Sequence, residues 1–247
     1  MDYKRRVYAI RDLPTLPVIA QKVLAVADDD NASLGKLAGL ISSDQALSLK
    51  VLSLANSAYY GFRSKVGTIQ HAAAGIGTEM LKQLSLSVLV YQSMGRRGRD
   101  RNEFWKHSFG AATAASLIAK RTGADSELSF MAGLVHDVGK IVIETYFPNE
   151  PDIQHTDVGG WMAERWELPQ TMIHAITHHH STSEEHLAQP IVACVQVADA
   201  CAKIVFMQNT PELPPQVLET LKMSDAQFRD VARELESRRR QIDSLLM

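Results

Sequence analysis

Apolar residues recur three or four positions apart along almost all of this 247-residue chain, and strict period-two alternation is scarce. That spacing places apolar side chains on one stripe of a helix and leaves little that reads as a half-buried strand. The fold class expected is all-α. "LPVIAQKVLAVA" aligns Val18, Ile19, Val23 and Val26 after Pro17. "SLGKLAGLIS" follows, with Ser33 as its N-cap. "SDQALSLKVLSLANSAYYGF" turns Leu47, Val51 and Leu54 inward, and "TEMLKQLSLSVLVYQSM" ends at Gly95. The arginine-rich "GRRGRDR" (95–101) reads as a solvated connection.

From about residue 101 the helices turn polar on faces that should be buried. "EFWKHSFGAATAASLIAKR" sets His107 among small residues that let another helix approach closely. "SELSFMAGLVHDVGKIVIE" reads as one helix with Ser126 as N-cap. "HTDVGGWMAERW", "LPQTMIHAITHHH" and "PIVACVQVADACAKIVF" continue the series. "NTPELPPQ" (209–216) is a proline-rich break. The last helix opens with a Ser224–Gln227 capping box and carries a stripe of Phe228, Val231, Leu235, Ile242 and Leu245. These divisions predict an N-terminal helical lobe (1–100), a polar helical core (101–208), and a break with an amphipathic helix (209–247).

Composition narrows the function. Net charge is −2, from 26 basic and 28 acidic residues, so nothing global points to nucleic acid or an anionic membrane. The N-terminus has no apolar signal region, and the most apolar segment contains Gln196, Asp199 and Lys203, which suits a buried helix better than a membrane span. Cys194 and Cys201 lie seven positions apart on one helix, about 10 Å by helical rise and beyond disulfide reach. Reduced core thiols in a cytoplasmic protein are expected.

The positions of the histidines carry the chemistry. His107, His136, His155, His179, His180 and Asp199 fall on successive predicted helices beside apolar or small residues. Burying such groups without partners costs several kcal/mol as an order of magnitude, on the order of 2–7 for each polar group. Coordination of divalent transition metal satisfies many at once, because neutral imidazole and carboxylate are standard ligands. Each has a plainer alternative. His107 alone suits a hydrogen-bonded core histidine, Asp199 has Lys203 four residues on for a helical ion pair, and "HHHSTSEEH" suits a solvated helix end. The adjacent pair His136–Asp137 resists such a reading, since neighbours on a helix do not share a face.

"HDVGK", the upstream histidine in "FWKHS", "HTDVGGWMAERWELP", the paired histidines and the late "VAD" resemble the HD superfamily of metal domains. More narrowly, "LPTLPVIAQKVLAVADDD", "ISSDQALSLKVLSLANSAYYGF" and "AAAGIGTEMLKQLSL" resemble the HDOD family, over about residues 13–206. The resemblance implies a multi-helix HD/HDOD fold, with an N-terminal lobe packed on an HD-type core, and a role in bacterial signal transduction. Carried over from the related HD-GYP phosphodiesterases, the ligand set is His107, His136, Asp137, His155, His179, His180 and Asp199. Glu103, one turn before His107, matches a further ligand of trinuclear relatives. In that scheme Asp137 bridges two metals, iron or manganese by type. His107, His136 and Asp199 complete one sphere, and His155, His179 and His180 the other. "STSEEHLAQP" after His180 lacks the glycine–tyrosine–proline loop of the cyclic di-GMP enzymes, so the substrate stays open.

Two metals about 3.5–4 Å apart supply a hydroxide nucleophile and clamp a phosphodiester for in-line attack. Asp137 and Lys140 are the catalytic candidates, Lys140 either neutralising a phosphate oxygen or lying on the surface. Three readings follow: a metal-dependent phosphohydrolase acting on a phosphodiester or nucleotide, a signalling scaffold that binds a protein partner, and a di-iron oxygenase. The oxygenase ranks last, for want of the additional lysines its chemistry requires. Signalling input is expected from a separate partner through the N-terminal lobe.

Overall fold

The computed structural model describes residues 2–10, 22–23, 34–56, 65–93 and 101–244. Outside them lie the "LPVIAQKVLAVA" helix (apart from Lys22 and Val23), the Ser33 cap, Gly95, nearly all of "GRRGRDR", Leu245 and residues 57–61 of "LANSAYYG". The described residues contain helices and no strand. In order they are α1 (Tyr3–Ala9), α2 (Leu34–Ser42), α3 (Gln45–Ala55), α4 (Ile69–Ser93), α5 (Arg101–Thr122), α6 (Ser126–Val135), α7 (Val138–Tyr146), α8 (His155–Arg165), α9 (Gln170–His178), α10 (Glu184–Leu187), α11 (Pro190–Met207), α12 (Pro215–Thr220) and α13 (Asp225–Ser244).

The chain forms two compact units, one of residues 1–14 and 95–239, the other of 15–94 and 240–247. This differs from a division at 100 and 208. α1 packs on α8, with Arg6 paired to Glu150 and Lys4 to Glu164. Arg121 of α5 pairs with Glu234 of α13. Such long-range polar contacts leave no periodic trace in the sequence.

In the smaller unit, α2, α3 and α4 pack on one another. Asp44 caps α3 by accepting from the Leu47 amide, and Leu47, Val51 and Leu54 are buried as their spacing requires. Asn56 donates to the Val66 carbonyl and accepts from the Val66 amide, closing that connection. α4 contains a break at Gly77, whose φ of 81° suits a residue without a Cβ. The sequence-predicted helix begins just after it, at Thr78.

The larger unit is built around α5 and α11. Ala111, Ala112, Ala114 and Ala115 are fully buried, and α6 and α11 pack closely on this small-residue face. Gly133 of α6 faces the Ala111 and Ala112 backbone, where a Cβ would come within 2.9 Å. α11 is long and apolar enough to cross a bilayer by composition, yet 67% of it is buried inside the protein. Cys194 and Cys201 on it are free and buried, and burial pushes both thiols up to about 12. The α6 cap is Asp125, one residue before the expected Ser126, accepting from the Glu127 and Leu128 amides. Ser224 and Gln227 form the predicted capping box of α13.

Candidate metal centre

The one helix predicted across "SELSFMAGLVHDVGKIVIE" is two. His136 ends α6 with helical torsions, and Asp137 departs from them (φ −98°, ψ 9°) before α7 begins. The break lets two adjacent side chains converge where an unbroken helix would separate them.

Three groups of side chains gather there. His107 of α5, His136 and Asp199 of α11 form the first: His107 Nε2 lies 3.3 Å from His136 Nε2 and 3.3 Å from Asp199 Oδ1. His155, the first residue of α8, joins His179 and His180 beyond the end of α9, with 3.3 Å between the Nε2 atoms of His155 and His179. His136, Asp137 and His179 form the third, which links the other two. Asp137 Oδ2 lies 3.4 Å from His107 Nε2 and 3.3 Å from His136 Nε2. Its other oxygen, Oδ1, lies 3.3 Å from His155 Nε2 and 3.7 Å from His179 Nε2.

The donor set fits a divalent transition metal on three grounds. Nδ1 of His136 faces the Gly133 carbonyl at 2.8 Å, and Nδ1 of His179 faces that of Ile176 at 2.7 Å. A neutral imidazole donating there turns its Nε2 lone pair inward. Asp137 Oδ1 and Asp199 Oδ1 are buried without a hydrogen bond, an arrangement that calls for a cation. Nitrogen ligands about 2.0–2.1 Å from a tetrahedral metal stand about 3.3–3.4 Å apart, as the converging atoms do here.

Electrostatics inside the protein follow the same pairing. Burial alone would lower His136, but Asp137 and Asp199 outweigh it and hold the imidazole up to about 10. Burial would raise both aspartates, yet the neighbouring histidines hold them well below the usual carboxylate range. His179 is lowered, chiefly by burial.

Two lysines brace the carboxylates. Lys140 Nζ lies 2.6 Å from Asp137 Oδ2, and Lys203 Nζ 2.6 Å from Asp199 Oδ2. Lys140 is thus neither a free surface lysine nor remote from the centre. The helical ion pair of Lys203 coexists with Asp199 Oδ1 facing His107 and His136. Glu103 is exposed in the first turn of α5 and stands outside the three groups.

Sequence reasoning missed two contributors. Gln196, one turn before Asp199, donates through Nε2 to the carbonyls of Ser181 (2.6 Å) and His178 (3.4 Å), holding the histidine turn. Gly139 lets the α7 and α8 backbones touch, and its signal was the glycine two places after Asp137. Gln196 had no comparable signal, for a glutamine inside an apolar helix does not announce its partners.

Residues 13–153 match the HDOD domain family and residues 104–204 match the HD domain. A crystal structure of an HDOD domain protein of unknown function from Geobacter sulfurreducens superposes with a TM-score of 0.78 at 25% identity, covering 98% of this chain and 96% of that one. A candidate phosphohydrolase from Shewanella amazonensis shares the fold, with a TM-score of 0.76 at 21% identity over 98% of this chain and 95% of that one. An uncharacterized protein of Treponema pallidum is 26% identical over 92% of this chain and 50% of its own length. Ribonuclease Y of Aquifex aeolicus is 36% identical over 51% of this chain and 22% of its own. The chain thus spans about half or less of these curated relatives. The HD domain match implies divalent metal binding, and the gathered histidines and aspartates are groups able to hold such an ion.

Proposed function

The chain belongs to the HDOD family, and from that premise we propose that it is a metal-dependent phosphohydrolase of bacterial signal transduction, holding two metals, iron or manganese, and cleaving a phosphodiester. The observation that carries this reading is Asp137, whose two oxygens face two separate histidine groups. One metal would be held by His107, His136, Asp137 and Asp199, the other by Asp137, His155, His179 and His180. Bound there, divalent metal supplies Lewis acidity and an activated water for attack on phosphorus.

The protein's own groups do the remaining work. Asp137 holds the two ligand groups in one frame. Lys140 holds that carboxylate in place through its 2.6 Å ion pair, with its side chain only 23% exposed. It has two further N–H donors to offer a phosphate oxygen. A separate protein partner would supply the signalling input through the smaller unit.

One observation favours a metal-free scaffold instead. Lys140 and Lys203 already neutralise one oxygen of each aspartate. Metal analysis of protein purified without chelator decides between them, beside a His136→Ala, Asp137→Ala double variant. About two equivalents of manganese or iron, absent in the variant, support the enzyme reading; metal-free wild type overturns it. Hydrolysis of an aryl phosphodiester by the loaded protein, above that of the variant, then separates a working centre from a bound one.

A further inference from the structure

A groove of about 170 Å³ opens beside the centre, and His179, His180 and Asp199 are part of its wall. Anything seated in it abuts the ligand groups. Lys203 lies where the groove meets Asp199, with one N–H committed to Asp199 Oδ2 at 2.6 Å. An ammonium has three donors, so two remain. Asp199 meets the histidines through its other oxygen, so ligation there leaves the lysine in place.

The remaining walls are unlike one another. Leu213 with Pro211 and Pro214 is apolar, while Ser181, Thr182 and Gln196 are polar. Gln196 has its amide nitrogen occupied by two carbonyls, which leaves its oxygen as an acceptor. Glu212 also lines the groove and is exposed, with no hydrogen bond or ion pair among the described residues. The groove therefore carries on its walls one cation anchored to Asp199 and one exposed carboxylate.

We propose that this groove is a substrate subsite selective for phosphodiesters over phosphomonoesters and polyphosphates. Lys203 holds the single charge of a diester against the centre. Glu212 repels any second phosphate charge on the flanking group, which lies uncharged between the proline wall and the acceptors. The proposal rests on the phosphohydrolase reading and names the residues that set its selectivity.

Binding to metal-free protein tests it apart from catalysis. Calorimetric titration with bis(4-nitrophenyl) phosphate, 4-nitrophenyl phosphate and pyrophosphate should rank the diester first. Lys203→Gln should weaken the diester about fivefold or more, as loss of one partly exposed charge interaction would. Glu212→Lys should shift the preference toward the monoester and pyrophosphate by a similar factor. Thr182→Trp, which fills the groove from an exposed loop position, should weaken all three, and the same variant purified without chelator should keep wild-type metal content. Equal binding of diester and monoester with no effect of Glu212→Lys overturns the proposal. So does unchanged diester binding in both Lys203→Gln and Thr182→Trp. Selective binding without turnover by the loaded protein would leave the groove standing and sink the phosphohydrolase reading.

Discussion

Gly139 lies directly against His155. A Cβ at position 139 would overlap the His155 carbonyl oxygen and stand 2.7 Å from the Gly159 nitrogen. Both obstacles are backbone, so no side chain can rotate away. The contact sets how deeply α8 packs on α7, and with it the 3.3 Å approach of His155 to Asp137. Gly139→Ala should cost about 1–3 kcal/mol in denaturant unfolding and deplete metal at the His155 group. Gly39→Ala in α2 is the control, since nothing lies within 4 Å of a Cβ there. It should be neutral or stabilise by up to about 1 kcal/mol. Equal unfolding midpoints for wild type and Gly139→Ala would refute the account.

Gln196 joins the turn carrying His179 and His180 to the helix carrying Asp199. Gln196→Met keeps the volume and removes both donors, at a cost of about 1–3 kcal/mol. Gln196→Glu should cost more, because it aims a carboxylate at two carbonyl oxygens. Hydrogen exchange at the Ser181 amide, bonded to the His178 carbonyl at 2.8 Å, reports the turn directly. Wild-type protection at Ser181 in Gln196→Met would exclude the clasp.

α1 makes several polar contacts at the surface. Tyr3 and Arg6 reach Glu150, and Tyr8 and Lys4 reach Glu164. Exposed pairs are screened by solvent, so Arg6→Ala should cost less than about 1 kcal/mol. Val7 is the buried residue of this helix, and Val7→Ala should cost more, about 1–2 kcal/mol. Unfolding titrations that reversed this order would show the ion pairs, not the apolar contact, fastening α1.

Leu47, Val51 and Leu54 show what the sequence made legible: a periodic stripe marks the face that packs, and the all-α class follows. The ligand groups were legible for a related reason, since His107, His136, His155, His179 and Asp199 are polar groups on faces that periodicity assigns to the interior. The break at Asp137 was not, because local propensity gives no reason to stop a helix in "GLVHDVGK"; packing of α7 on α8 through Gly139 needs it. Lys203 was legible as a helical ion pair but not as a wall of a groove, for residues 211–214 approach it only in the folded chain. The fate of α1 was hidden likewise, as its partners Glu150 and Glu164 lie more than 140 positions away.

His136 gives the metal-free protein a distinctive pH dependence. Burial lowers its proton affinity, but Asp137 and Asp199 more than compensate and hold it up to about 10, against an ordinary 6.5. The folded state therefore keeps a proton that the unfolded state releases. Stability from this group is fully present below 6.5 and is lost as pH rises toward about 10. Asp137 and Asp199 have the opposite sign: held below the ordinary 3.8, they contribute above that pH and lose their contribution as it falls further. His179 and His180 are lowered, chiefly by burial, so they lose stability as pH falls below 6.5. For this centre, chelator-treated protein should therefore be most stable near pH 6.5 and weaken on both sides, steadily on the alkaline one. Metal takes the place of that proton, because a ligating imidazole must be neutral. Metal uptake near pH 8 should thus expel about one proton, read from calorimetric heats in two buffers of different ionisation enthalpy. Heats identical in both buffers would mean that His136 is already neutral in the metal-free centre.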